Sequence, residues 1–220
     1  MKRYAVIGAS SGVGLEIVKH LTSRGDFVRA IARHPQDAET LIEPWAADVT
    51  DAAAMVRALA GDFDAVFFTV DIHGKSLQRD QVRRVMVEGS ANAVAAAKLA
   101  GVKRFVLLSV IGADKRSWVW WLLNAMKPGM RDNVLARELA LAASGIEFVI
   151  CRAARLVDGA DGRTTVVTEP RHRMNMRRSI KRANLALALV NAAERAPANS
   201  VWDVFSGPGG ETAPWPPAPI

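Results

Sequence analysis

The first fourteen residues of the chain, MKRYAVIGASSGVG, restrict its fold more than any other stretch. Tyr4 to Ile7 is a short apolar run, which is typical of a strand buried on both faces. Gly8, Gly12 and Gly14 follow at a Gly-x-x-x-Gly-x-Gly spacing, and apolar residues then recur with a helical period. A strand, a glycine turn and a helix in this order let the backbone approach a pyrophosphate, which the N-terminus of the helix binds.

Other residues near this turn are candidate cofactor contacts. Ser10 and Ser11 offer hydroxyl donors, and Val13 lies in the first turn of the predicted helix. Thr69 and Val70 end the fourth predicted strand, at the sheet edge where ligands bind in such folds. Glycine triplets also occur in ordinary strand-to-helix turns, but here both flanking elements fit the motif, which favours a dinucleotide site.

Composition limits the class of protein. Half of the 220 residues are apolar, which predicts one sizeable domain with a real core. We expect no membrane span, because no run of 18 uncharged apolar residues exists, and no secretory signal, because a strand begins at once. Cys151 is the single cysteine, so no internal disulfide can form. A buried, inert thiol and a reducing cytoplasm are the expectation.

The positive charge is concentrated in one stretch. The net charge is +7, and residues 152–182 hold nine Lys or Arg against three Asp or Glu. This stretch is either a solvated surface or a basic rim beside an anionic ligand. Nucleic acid is not an expected partner, because aromatic residues do not interleave with the basic ones.

Strands and helices alternate along the chain, which predicts an α/β fold with a doubly wound, mostly parallel sheet. The predicted strands span residues 4–7, 27–32, 45–49, 64–70, 104–109, 147–152, 164–168 and 200–205. After the first helix, the predicted helices span residues 52–59, 79–100, 134–143 and 182–194. Residues 1–206 are therefore expected to form one domain, and the proline-rich residues 207–220 a surface tail.

The residue after the second strand predicts which dinucleotide binds. NAD-preferring proteins carry a carboxylate there, whereas this chain has Arg33, whose fork suits a 2′-phosphate. NADP(H) is therefore preferred over NAD, although a solvated loop arginine is the alternative. Asp48 and Val49 follow the third strand where an adenine ring would lie, or else they simply precede the next helix.

Several motifs, in this order, resemble the short-chain dehydrogenase/reductase superfamily. They are the glycine turn, Ala32–Pro35, Ala47–Asp51, Glu88–Asn92, Gly101–Ser109, Ser144–Phe148 and Ile180–Ala186. The similarity is closest to the atypical branch of NmrA-like NAD(P)H-binding proteins and biliverdin/flavin reductases. It implies a single-domain Rossmann fold, a nicotinamide cofactor and a substrate-covering segment at about residues 153–182.

The chain departs from this family at its catalytic positions. The superfamily's Tyr-x-x-x-Lys pair is excluded, because the single tyrosine, Tyr4, lies at the base of the first strand. Val134 stands where the atypical branch often has a lysine, Ala153 where a proline commonly follows Arg152, and Asn184 where an aspartate is usual.

Few residues remain as candidate catalysts. Ser109 ends the fifth strand, where the superfamily keeps a serine near the nicotinamide, and its hydroxyl could orient a substrate carbonyl. His73 follows the fourth strand and could donate a proton at neutral pH. His172 lies in the basic stretch. Each has an ordinary alternative, a capping serine or a surface histidine, and no metal-ligand cluster is apparent.

Three tryptophans, Trp118, Trp120 and Trp121, occupy four positions after the fifth strand. We interpret them as the wall of a pocket for a small, flat, hydrophobic substrate, with core packing or a homodimer face as alternatives. Such an acceptor needs little proton-transfer machinery. Two hypotheses follow, an NADPH-dependent reductase of a quinone, flavin or aromatic ketone, and a non-catalytic, redox-responsive NAD(P)-binding protein.

Overall fold

The computed structural model describes residues 1–74, 76–159 and 164–207. The predicted tail, from residue 208 onward, lies outside the described residues. Ten strands are described: β1 Arg3–Ile7, β2 Phe27–Ala32, β3 Ile42–Ala46, β4 Ala65–Phe68, β5 Phe105–Val110, β6 Phe148–Ala153, β7 Arg155–Val157, β8 Thr164–Thr168, β9 Ser179–Lys181 and β10 Ser200–Gly207. The helices are α1 Gly12–Ser23, α2 Ala52–Ala58, α3 Arg79–Arg83, α4 Gly89–Leu99, α5 Trp118–Met126, α6 Met130–Ala142 and α7 Arg182–Arg195, with a π-helical turn at Arg84–Glu88.

Eight strands form one sheet in the order β3-β2-β1-β4-β5-β6-β10-β8. Neighbouring strands are parallel except for β10 and β8, which are antiparallel. Strands β7 and β9 form a separate parallel pair. The strand order reverses direction between β1 and β4, and this switch point is where doubly wound sheets bind ligands. The predicted single-domain α/β Rossmann fold is therefore confirmed.

The core has a layer on each face of the sheet. Helices α1 and α7 pack on one face, with Ile17, Leu21 and Leu189 fully buried. Helices α2, α4 and α6 cover the other face, around Met55 and Phe68. A third apolar cluster, between α3, α5 and α6, lies beyond the carboxyl ends of the strands. The sheet is thus covered on both faces, and its carboxyl edge carries a separate apolar layer.

Three element predictions need correction. The third strand spans Ile42–Ala46 rather than 45–49, because Val28 of β2 pairs with Ile42, and the chain then leaves the sheet before Asp48. Residues 79–99 are helical, but a π-helical turn interrupts them. Residues 118–126 form a helix that the sequence did not predict, and α6 begins at Met130 rather than at residue 134.

Two expectations from composition can be compared with the structure. Cys151 is a free, buried thiol on β6, and burial raises its pKa to about 12, as expected for an inert group. Among the described helices, none combines the length and the apolar character that crossing a bilayer would require.

Candidate functional site

A cleft of about 1430 Å³ lies along the carboxyl edge of the sheet. It begins at the glycine turn after β1, passes the ends of β4 and β5, and ends beside residues 153–159. All of the candidate cofactor residues except Gly14 line it: Gly8, Ser10, Ser11, Gly12, Val13, Arg33, Asp48, Val49, Thr69, Val70 and Ser109. The structure therefore brings together residues that are widely separated in the sequence.

The glycine turn is tight at the positions where the motif has glycine. Gly8 and Gly12 have φ values of +93° and +58°, a region that favours glycine. A Cβ atom on Gly14 would lie 2.2 Å from the Gly8 carbonyl oxygen. Thr69 closes the turn from β4, because its hydroxyl donates to the Ile7 carbonyl at 3.0 Å. This arrangement fits a cradle for a dinucleotide pyrophosphate.

The N-terminus of α1 opens into this cradle. Ser11 is the N-cap residue, yet its side chain makes no capping hydrogen bond. Ser10, Ser11 and Gly12 are all exposed and line the cleft. The first N–H groups of a helix lack intrahelical acceptors, so this end of α1 offers donors and a positive dipole to an anion.

Two arginines flank Asp48 at one end of the cleft. The Asp48 carboxylate accepts hydrogen bonds from the Thr50 N–H at 2.8 Å and the Thr50 hydroxyl at 2.9 Å. The bond from the Thr50 N–H is the main cause that lowers the pKa of Asp48, and the charges of Arg33 and Arg84 add to it. Arg84, the first residue of the π-helical turn, also lines the cleft and was not predicted from the sequence.

The loop after β3 is held by α4. The Asn92 amide donates to the Val49 carbonyl at 2.9 Å. A Cβ atom on Gly89 would lie 2.6 Å from a Val49 methyl carbon, so glycine permits this close approach. The family-like motif around Gly89 thus positions Val49 at the cleft.

Ser109 lies at the cleft but is only 2% exposed. Its hydroxyl donates to the Glu138 carboxylate on α6. Glu138 also accepts from the Arg152 guanidinium at 2.7 Å, and Arg152 lies 3.2 Å from Asp114. The hydroxyl hydrogen of Ser109 is therefore already used within a buried ionic network, which joins β5, β6 and α6. The oxygen lone pairs of Ser109 are the part left for a ligand.

Arg137, the residue before Glu138, also lines the cleft and was not predicted. It is buried, and its guanidinium donates to the Leu108 carbonyl of β5 at 2.9 Å. Burial lowers the pKa of Arg137, while Asp71 and Glu138 attract its charge. The sequence signal that could have found it is a charged pair, Arg137 and Glu138, within a helix that packs on the sheet.

The two candidate histidines occupy different environments. His73 lines the cleft, is exposed, and lies 3.8 Å from the Asp71 carboxylate. His172 does not line the cleft, since its Nδ1 lies 3.0 Å from the Asp203 carboxylate and its ring packs against Phe205. His172 therefore anchors the chain around it to strand β10 through its contacts with Asp203 and Phe205.

The prediction that the three tryptophans form a wall of the substrate pocket is wrong. Trp120 is buried in the third apolar cluster, and its indole N–H donates to the Gly112 carbonyl at 2.9 Å. Trp118 and Trp121 point outward and are 69% and 77% exposed. From α5 only Leu123 lines the cleft, because the helical period of α5 directs the tryptophans to its other sides.

Both ends of the basic stretch reach the cleft. Arg155 lines it at one end, and Lys181 and Arg182 line it at the other. Arg182 forms an ion pair with Asp158, and its Nε would lie 3.9 Å from a Cβ atom on Gly12. Arg182, at the end of this stretch, therefore approaches the glycine turn.

Tyr4 is far from this chemistry. Its hydroxyl donates at 2.8 Å to Glu194, which Lys2 and Arg24 also contact. Burial alone would raise the pKa of Glu194, but hydrogen bonds from Arg24, Tyr4 and Lys2 lower it to about 2. The described residues contain no group of three or more His, Cys, Asp or Glu that could hold a metal ion.

A doubly wound sheet with a glycine turn at its switch point defines a Rossmann-type dinucleotide-binding protein. More specifically, the chain belongs to the NAD(P)H-binding family, whose model matches residues 8–196. The predicted relation to NAD(P)H-binding proteins of the short-chain dehydrogenase/reductase type and the predicted nicotinamide cofactor are thereby confirmed.

Individual relatives differ in what they do. The chain is 30% identical over 153 residues to an uncharacterised sugar epimerase, YhfK, of Bacillus subtilis, covering 67% of this chain and 69% of that protein. It is 34% identical over 172 residues to a Mycobacterium tuberculosis 3β-hydroxysteroid dehydrogenase/Δ5→4-isomerase, covering 70% of this chain and 46% of that enzyme. The solved structure of ChuY, an anaerobilin reductase from Escherichia coli O157:H7, aligns with a TM-score of 0.73 at 20% identity, covering 96% of this chain and 100% of that one.

Proposed function

We propose that this protein is an NADPH-dependent reductase that delivers a hydride to a flat, conjugated acceptor such as a quinone, a flavin or an aromatic ketone. The observation that carries the proposal is the two-part character of the cleft. One part has the glycine turn, the open end of α1 and two arginines, and the other part has mostly apolar walls.

Arg33 and Arg84 support NADPH over NADH. Both are exposed, both line the cleft, and both lie close enough to Asp48 to lower its pKa. A 2′-phosphate is a dianionic group that guanidinium forks bind well. Asp48 and Val49 would then contact the adenine, and the glycine turn with Ser10 and Ser11 would hold the pyrophosphate.

The apolar walls support a flat hydrophobic acceptor. Side chains from five separate parts of the chain form them: Ile72 and Leu77 after β4, Leu123 on α5, Met130 on α6, Leu156 on β7, and Met174. The bound cofactor supplies the hydride, and the chain's own part is to orient the acceptor and exclude water. Ser109, through its lone pairs, and His73, as a proton donor at the cleft entrance, are the candidate polar groups. Solvent can protonate a conjugated acceptor, so the missing tyrosine is not an obstacle.

The second candidate is a non-catalytic protein that responds to the redox state of bound NADP(H). The hydrogen bond from the Ser109 hydroxyl to Glu138 favours this alternative, because Ser109 then has no hydrogen left to donate to a substrate. For either function we propose a cytoplasmic protein whose residues 1–206 act as one domain. In the reductase, residues 153–182 would cover the substrate.

Two measurements made in sequence test the proposal. Titration calorimetry with NADPH and NADH measures cofactor affinity, and the absorbance of reduced nicotinamide then follows its oxidation by menadione or riboflavin. Acceptor-dependent oxidation that saturates with NADPH supports the reductase. Tight binding with no oxidation by any acceptor favours the non-catalytic protein, and no binding of either dinucleotide contradicts both.

A further inference from the structure

The cleft contains a buried cation, Arg137, that has no ionic partner among the residues that the structure describes. Three arginines are buried in the described part of the chain, Arg29, Arg137 and Arg152. Arg29 lies 2.7 Å from the Glu43 carboxylate, and Arg152 lies 2.7 Å from the Glu138 carboxylate. Within residues 1–74, 76–159 and 164–207, Arg137 forms no ion pair, and its Nε has no hydrogen-bond acceptor.

The buried Arg137 guanidinium destabilises the fold unless a counterion pairs with it. A buried charge that lacks both a counterion and hydrogen bonds is destabilising, so buried cations are normally paired. Arg137 is 4% exposed and has one side-chain hydrogen bond, to the Leu108 carbonyl. Asp71 and Glu138 attract its charge from beyond ion-pair distance, while Lys127 pairs with Asp71 and Arg152 pairs with Glu138. The two nearest carboxylates are thus already neutralised by other cations.

The location of Arg137 indicates where its partner would come from. Its guanidinium is fixed to Leu108, directly before Ser109 at the carboxyl end of β5, and it lines the cleft. The apolar wall residues Leu123 and Met130 line the same part of the molecule, from α5 and the start of α6. An anionic group on a molecule inserted between these walls would supply the missing counterion.

We propose that Arg137 binds a carboxylate of the substrate, so that the acceptor is a flat, conjugated acid rather than a neutral quinone or ketone. The proposal rests on the proposed function in its choice of acceptor, and it deepens that function by assigning the acceptor a charge. Guanidinium groups bind carboxylates through charge-assisted, often bidentate hydrogen bonds, and Nε is one of the two donors on one edge of the fork.

The test compares two ligands of nearly the same shape, one of which carries a negative charge and one of which is neutral. Anthraquinone-2-carboxylate and anthraquinone-2-carboxamide are titrated by calorimetry into the protein, with NADP⁺ present and again without it. The wild-type chain should bind the carboxylate about tenfold to a hundredfold more tightly than the carboxamide. Arg137→Met should abolish this difference while leaving carboxamide and NADP⁺ affinities within about twofold. Arg116→Met is the matched control, since Arg116 is exposed and outside the cleft.

Thermal unfolding separates a binding role from a structural one. Arg137→Met removes an unpaired buried charge, so its melting temperature should equal or exceed that of the wild type. If that variant fails to fold, Arg137→Lys keeps the charge but loses the fork, and it should weaken the carboxylate preference without removing it.

Three results would overturn the proposal. The first is equal affinity of the wild type for both ligands, or no carboxylate binding with or without NADP⁺. The second is an Arg137→Met variant that loses NADP⁺ affinity instead, which would assign the arginine to the cofactor. The third is a strongly destabilised variant with an unchanged carboxylate preference. Because binding is measured without turnover, a carboxylate preference would survive even if no acceptor were ever reduced.

Discussion

A negatively charged side chain at Gly12 should weaken dinucleotide binding without disrupting the fold. We consider Gly12→Asp, which places a carboxylate at the first residue of α1, beside the opening of the cleft. The φ of Gly12 is +58°, a conformation that aspartate tolerates better than most residues do. A Cβ atom there would have the Arg182 Nε, at 3.9 Å, as its nearest neighbour, so the side chain fits without displacing backbone.

The size of the effect follows from Coulomb's law. Two unit charges about 4 Å apart repel by about 1 kcal/mol in bulk water and by about 4 kcal/mol at the effective dielectric of a protein surface. A pyrophosphate at the start of α1 would lie at such a distance, in a cleft that is open to water on one side. Allowing for attraction of the new carboxylate by Arg182, we expect the binding free energy of NADPH to weaken by about 1–3 kcal/mol, or roughly 5-fold to 150-fold in affinity.

Calorimetry with NADPH measures this loss, and Gly25→Asp provides the matched control. Gly25 also has a left-handed φ, +82°, and its Cβ atom would meet nothing within 4 Å. It lies just beyond the other end of α1, so both variants bear a similar backbone strain and only one lies at the cleft. Gly25→Asp should bind NADPH like the wild type. If Gly12→Asp still binds within about threefold of the wild type, the glycine turn does not hold the phosphates.

Three further predictions concern other parts of the molecule. Arg33→Ala should lower NADPH affinity by about tenfold to a hundredfold and leave NADH affinity unchanged in calorimetry, whereas equal losses would contradict the 2′-phosphate assignment. Cys151 should resist alkylation by iodoacetamide in the folded protein and react only after unfolding, because burial raises its pKa to about 12. Glu194, whose pKa is lowered to about 2, stabilises the fold fully above the ordinary glutamate pKa and loses that contribution as the pH falls towards about 2. Chemical denaturation at about pH 6 and about pH 3 should therefore show an acid loss of about 2 kcal/mol that Glu194→Gln lacks, and an equal loss in both proteins would refute the assignment.

The fold was predictable because its signals are local and repeat. Strands buried on both faces appear as continuous apolar runs, and alternation with helices then fixes the sheet as parallel. The failures have physical causes. The third strand reads Ile-Glu-Pro-Trp-Ala, half-exposed at the sheet edge, so it lacks the apolar run that marks the central strands. The helix Trp118–Met126 contains no charged residue, and hence no polar face from which a helical period could be recognised.

The clustering of residues at the glycine-turn end of the cleft could be predicted from the sequence, whereas the residues of its apolar end could not. Gly8, Gly12 and Arg33 can be located by spacing from a strand, because parallel strands end at one edge of the sheet. Arg137 and Glu138 are consecutive residues on one helix, and sequence cannot tell which of them is neutralised. The packing of α6 against β5 and β6 pairs Glu138 with Arg152 and leaves Arg137 without a carboxylate partner in the described part of the chain.

The missing tyrosine and the unpaired arginine have a common consequence for the chemistry. A superfamily tyrosine would supply a proton to a neutral carbonyl, which becomes a strongly basic alkoxide when it accepts a hydride. This cleft has no tyrosine, and the Ser109 hydrogen is held by Glu138. It offers instead the buried guanidinium of Arg137, whose proposed pairing with a substrate carboxylate would hold the acceptor without transferring a proton. Acceptors whose reduced form spreads its negative charge over a conjugated system suit such a site, because solvent can protonate them later. The missing tyrosine and the buried Arg137 therefore both support the proposed preference for conjugated anionic acceptors over simple ketones.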